Sequence, residues 1–223
     1  MKLLLINPNS SRHITERLCA EARIAAGAGV VIEGVNPERG PAAIRSRADN
    51  DAAIAAVHAM AREHLSDHDG VILGVSMYTA LPTLRNMIRV PVVGMAQAGL
   101  TAACMLHDKV AALTLGAQMV PLYEALTHRY GFADRVVRWR ALEIPAAFTQ
   151  TTPDPVAADQ LVAACDELIA RDGAGAILLC GAVLSGYGRM IAPRLGVPVI
   201  DAVAAAALQV MLLVRLQRLN CGD

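Results

Sequence analysis

Short apolar runs closed by turn residues alternate along this chain with longer segments in which apolar positions recur every three or four residues. The runs predict strands at 2–6, 30–35, 70–74, 90–93, 109–114, 139–144, 176–179 and 197–200. The periodic segments predict helices at 11–26, 50–64, 81–88, 96–106, 119–130, 155–171, 188–194 and 202–216. Strands alternating with helices of this length imply right-handed βαβ units and parallel sheets. The fold class read from the pattern is therefore α/β.

The pattern also repeats. GVILGVSMYTALPTLRNMIRVPVVGMAQAG, from Gly70, and GAILLCGAVLSGYGRMIAPRLGVPVIDAVAAA, from Gly175, share one plan. Each is a strand, a small-residue loop, a helix and a PV(V/I) strand that enters another helix. This implies two pseudosymmetric halves, each a parallel sheet flanked by helices, with the active site in the cleft between them. The expected division is 1–95 with 201–223 against 96–200. In parallel sheets ligands gather at the carboxyl ends of strands, so the paired loops 74–79 and 180–186 become candidate walls of that cleft. The polar segment 36–50 is expected to be a mobile loop near it.

Composition narrows the class. The 223 residues are 55% hydrophobic but only 3% aromatic, with 20 basic and 20 acidic side chains and no basic face. That argues against a nucleic-acid partner and against an anionic membrane surface. The apolar segment 202–214 is too short to span a bilayer; it reads as a buried or interface helix, and its apolar faces point to a homo-oligomer. Five scattered cysteines (Cys19, Cys104, Cys165, Cys180, Cys221) form no CxxC pair. They read as reduced cytoplasmic thiols rather than disulfides or metal ligands. The opening MKLLLI reads as the first strand rather than a cleavable leader.

Candidate chemistry sits at the ends of the predicted strands. Asn7, Asn9 and Ser10 follow the first strand and open a helix, where free amides attract a carboxylate or carbonyl oxygen; capping alone would equally explain them. Val75, Ser76, Met77, Tyr78 and Thr79 form a loop whose hydroxyls and amides suit an oxyanion or planar imide, against the alternative of an ordinary strand-to-helix turn. Thr114 closes the fifth strand. Cys180, Gly181 and Ala182 form the matching loop of the second half. The Cys180 thiol is a base or nucleophile if nearby amides lower its pKa, and inert core if not. No Ser/His/Asp order, metal-ligand spacing, dinucleotide fingerprint or P-loop occurs.

Four segments in sequence carry a resemblance. INPNSS at the start is similar to the INPNTS of the hydantoin and allantoin racemases, in the aspartate/glutamate racemase superfamily. VPVVGMAQAG resembles their PVVGIAEAA, with Gln97 where an acid is usual. RYGFADRV followed by ALEIP, and GVPVIDAVAAA, complete the match over nearly the whole chain. The resemblance implies a cofactor-independent racemase or isomerase that moves a proton next to a carbonyl, with a cysteine on each face of the substrate. The two family cysteines fall here on Val75 and Gly181, and Cys180 sits one place early. One-residue shifts near strand ends reverse the face a side chain takes. Cys180 and Ser76 are then the candidate acid/base groups. The alternatives are a single-thiol decarboxylase similar to arylmalonate decarboxylase, or a racemase homologue that only binds a small ligand.

Overall fold

A computed structural model describes residues 1–221, leaving out the side chain of Cys221. Its eight strands form two parallel four-stranded sheets of identical plan, β2-β1-β3-β4 and β6-β5-β7-β8. In the first, β1 (Lys2–Ile6) lies between β2 (Val31–Val35) and β3 (Gly70–Leu73), with β4 (Val92–Gly94) at the edge. In the second, β5 (Val110–Leu115) lies between β6 (Val136–Leu142) and β7 (Ala176–Leu179), with β8 (Val199–Asp201) outermost. The four inner strands are buried on both faces almost throughout, as continuous Leu, Ile, Val and Ala runs require.

Helices α1 (Arg12–Ala26), α2 (Arg47–His64) and α3 (Leu81–Met87) flank the first sheet; α5 (Val120–Arg129), α6 (Pro155–Asp172) and α7 (Tyr187–Ile191) flank the second. The remaining two cross between the halves. β4 runs straight into α4 (Met95–Leu106), which packs on β7 and β8. β8 runs straight into α8 (Ala202–Cys221), which packs on β3 and β4 and lies against both α1 and α4. By length and composition the 202–220 segment could cross a membrane; here its inner face is wedged into the body of the protein, with Val203, Ala206, Ala207 and Val210 fully buried.

Several boundaries differ from expectation, α8 running on to 221 and β4 and β8 starting two residues late among them, and three differences have a local cause. Helix α2 starts at Arg47 rather than 50, because the Ser46 hydroxyl accepts the Asp49 amide and Asp49 reaches back to the Arg45 amide, a reciprocal cap. Strand β6 begins three residues early, since it pairs with the full length of β5. Helix α7 is short and gives way to a 3₁₀ turn, Ala192–Arg194, that contains Pro193, where the missing N–H ends regular α pairing.

Candidate active site

The inner strands of both sheets deliver their carboxyl ends to one partly open cavity of about 50 Å³. Asn9 enters from the loop after β1, Val75 and Ser76 from the loop after β3, Thr114 from the end of β5, and Gly181 and Ala182 from the loop after β7. The segment 43–45 and Phe148 form the roof, where the Arg45 guanidinium lies 4.6 Å from the Phe148 ring centre. The polar stretch expected to be a loop near the cleft is therefore the cover of this cavity.

Each wall is fixed from behind. Asn7 is fully buried; its amide nitrogen donates to Asn9 Oδ1 (3.0 Å) and Thr15 Oγ1 (2.9 Å), and its own Oδ1 accepts from the Asn9 N–H. Asn9 Oδ1 also accepts from Ser11 N–H (3.0 Å), which leaves the Asn9 amide nitrogen as its remaining donor. The helix cap falls on Ser11 rather than on Asn9 or Ser10, and neither Ser10 nor Ser11 uses its hydroxyl on α1. Ser10 donates to Gly40 O and Ser11 to Ala42 O, tying the roof segment to the start of α1. Thr79 donates to Asn50 and joins the β3 loop to α2. Met77 and Tyr78 of that loop line a neighbouring groove instead of the cavity.

The chemical centre is a cluster of Ser76, Cys180, Thr114 and Tyr123. Ser76 lines the cavity, yet its buried hydroxyl has no well-aligned hydrogen-bond partner among the described residues. Beside it lies the Cys180 thiol, fully buried just behind the cavity wall. Burial pushes this thiol up to about 12; the Ser76 hydroxyl acts against that rise, and the charge of Asp201 adds to it. Tyr123 lines the cavity from α5 and stacks on Trp139 with ring centres 4.9 Å apart. Burial, followed by the neighbouring Cys180, drives its phenol well above the ordinary range, while the Thr114 and Ser76 hydroxyls oppose the shift. Both groups thus keep their protons at neutral pH. The cavity is rich in hydrogen-bond donors and poor in ready bases.

The two positions singled out for missing thiols, Val75 and Gly181, both line the cavity. A Cβ on Gly181 would point toward Thr114 Oγ1, 4.0 Å away, but the residue has φ +147°, which L side chains rarely adopt. Cys180 does not line the cavity, in keeping with the expected one-residue shift: it stands behind the wall as part of the buried core, with its thiol beside Ser76. Sequence reasoning missed Tyr123. It is one of only four tyrosines, and it sits inside the helix after β5 rather than in a strand-end loop, so strand-end position did not mark it.

Comparison with known proteins places this geometry. The Asp/Glu/Hydantoin racemase family model matches residues 3–210. The chain belongs to the Asp/Glu/hydantoin racemase family. Within it, the chain is 30% identical to a hydantoin racemase from Pseudomonas sp. (strain NS671), over 92% of this chain and 82% of that protein. The solved allantoin racemase from Klebsiella pneumoniae superposes with a TM-score of 0.90 at 27% identity, covering 97% of this chain and 89% of that one. Unliganded arylmalonate decarboxylase shares the fold, with a TM-score of 0.67 at 20% identity, covering 96% and 92%. The racemases of this family are enzymes, and the cavity of this member lies where its two sheets converge.

Proposed function

We propose that the protein is a cytoplasmic, homo-oligomeric racemase or isomerase of small cyclic amides of the hydantoin and allantoin type, acting without a cofactor by proton transfer next to a carbonyl. The carrying observation is the meeting of Ser76, Thr114 and Tyr123 with the start of the 181–184 turn in one small cavity. N–H groups at the start of such a turn have no partner within it. Together with the hydroxyls they supply donors for a carbonyl oxygen that becomes an enolate, and a water-excluded site strengthens them.

Ser76 stands between the cavity and Cys180, so it relays rather than originates acid/base chemistry. The ring α-proton passes to Ser76 Oγ as the serine proton passes to a Cys180 thiolate; a solvent proton added to the opposite face of the enolate completes inversion, and the Cys180 thiol gives its proton back to solvent to restore the thiolate. The thiolate is scarce with the thiol near 12, so the enzymic rate should climb about tenfold per pH unit through the alkaline range. The same protonated thiol favours a second reading. In a decarboxylase, loss of CO₂ generates the enolate and only an acid is needed. That rate should be flat from pH 7 to 10.

The test is deuterium uptake at the ring carbon of enantiopure 5-substituted hydantoins and of allantoin in D₂O, followed by NMR and optical rotation. Exchange above the buffer rate, steep in pH and abolished by Cys180→Ala and Ser76→Ala, is expected. Exchange no faster than buffer removes the racemase reading. CO₂ release from a 2-substituted malonate, independent of pH and lost in Cys180→Ala, would establish the lyase instead.

A further inference from the structure

The cavity is too small to hold a whole substituted ring. About 50 Å³ accommodates on the order of a few waters, whereas ligand sites usually run to several hundred Å³. Beside it lies a groove of about 610 Å³, and the two hollows share their walls. The β3 loop gives Ser76 to the cavity and Met77 and Tyr78 to the groove. Helix α5 gives Tyr123 to the cavity and Leu126 and Arg129 to the groove. The roof segment gives Arg45 to the cavity, and its continuation into α2 gives Arg47, Asn50 and Asp51 to the groove.

The groove has a definite chemical character. Its apolar wall is Met77, Leu122, Ala125 and Leu126, with Tyr78 as the one aromatic ring of the lining. Arg129 lies over the Tyr78 face at 3.8 Å, which fixes the guanidinium in place. Among the described residues neither Arg47 nor Arg129 forms an ion pair. The one carboxylate in the groove, Asp51, already accepts a hydrogen bond from Asn50 at 3.2 Å. His128 also lines the groove. Two cations without carboxylate partners beside Tyr78 and an apolar wall form a receptor for an anion on a short apolar stem.

We propose that this groove binds an anionic arm of the substrate, a carboxylate carried two or three atoms from the reacting carbon, and that Arg47 and Arg129 select it. The inference rests on the reading that the reacting ring occupies the cavity, and names the substrate class within it: carboxyalkyl-substituted cyclic amides in preference to neutral alkyl ones. Arginine forks bind carboxylates in two-point geometry that a neutral amide cannot reproduce.

Two ligands of equal length and shape decide the matter, hydantoin bearing a 5-(2-carboxyethyl) arm and its 5-(2-carbamoylethyl) counterpart. Affinities are measured by calorimetry, which needs no turnover. The expected result is tighter binding of the acid by about tenfold or more, a margin that shrinks as salt is raised. In Arg129→Gln with Arg47→Gln the two ligands should bind alike, while Arg171→Gln, on α6, retains the preference. Equal affinities in the wild type, a preference that survives the double substitution, or no binding of either ligand would each overturn the proposal. Isotope exchange on the neutral ligand is scored separately. A preference without exchange leaves the groove and refutes the racemase; exchange without a preference does the reverse.

Discussion

Asp201 ends β8 with its carboxylate almost out of reach of water, 7% exposed. Oδ2 accepts the Gly186 amide at 2.7 Å and Oδ1 the Val203 amide at 3.0 Å. Burial raises its pKa to about 7; the two backbone donors oppose this, and the nearby Glu21 charge adds to it. An unfolded aspartate ionises near 3.9. The folded chain therefore holds a proton that the unfolded chain has lost between those values. The resulting stabilisation is complete below about pH 4 and is lost as pH rises to 7. Its slope is at most about 1.4 kcal/mol per pH unit. Urea unfolding of Asp201→Asn should show a flatter dependence across pH 4–7 than the wild type, beside a constant offset from the altered amide contacts. Parallel curves would mean that Asp201 does not titrate there. At this scale legibility was uneven. Asn9, Val75, Ser76, Thr114, Gly181 and Ala182 could be read as site residues from strand-end position. The place of Cys180 was half legible: its one-residue offset pointed away from the cavity, but its direction also depends on the backbone turn at Gly181, whose φ is +147°. Tyr123 was invisible because its hydroxyl reaches the site through packing of α5.

Helix α4 shows how an element is seated by a single residue. A Cβ on Gly99 would lie 2.6 Å from Leu178 Cδ1 and 3.3 Å from the Ala202 Cβ. Both neighbours are themselves buried, Leu178 in β7 and Ala202 at the start of α8. The glycine thus lets α4 leave the first sheet and settle on the second. Helix propensity favours alanine at an interior site by about 1 kcal/mol, while overpacking a tight core costs about 1–3 kcal/mol. Gly99→Ala should be destabilised by about 1 kcal/mol on balance, read as a lowered urea midpoint with an unchanged slope. A stabilised variant would show that α4 has room to spare. Elements themselves were well marked in the sequence, since four inner strands buried on both faces are unbroken apolar runs. Boundaries slipped where a local cap, as at Ser46, or pairing along an edge strand, as at β6, outweighed the hydrophobic pattern.

For the whole molecule, the internal repeat announced the two equal sheets, and the expected division set 96–106 with the second half and 201–223 with the first; the crossing itself is made by α4 packing on β7 and β8 and α8 on β3 and β4. That crossing leaves one surface unexplained by the monomer. Leu208, Leu212, Leu216 and Leu219 recur at helical spacing along the outer face of α8 and are 53%, 54%, 46% and 76% exposed. Helices α1 and α4, on either side, add exposed Ile24 and Met105. Soluble monomers rarely present an apolar stripe of this extent, and a second copy of the same stripe is its simplest complement, since a two-fold axis sets like against like. Sedimentation equilibrium at micromolar concentration should give a mass that is a multiple of the 23.5 kDa chain. Leu212→Glu with Leu216→Glu should reduce it to the monomer, because two carboxylates on each face cannot be buried unpaired. A wild-type protein that already sediments as a monomer would show that the stripe does not join copies of this chain.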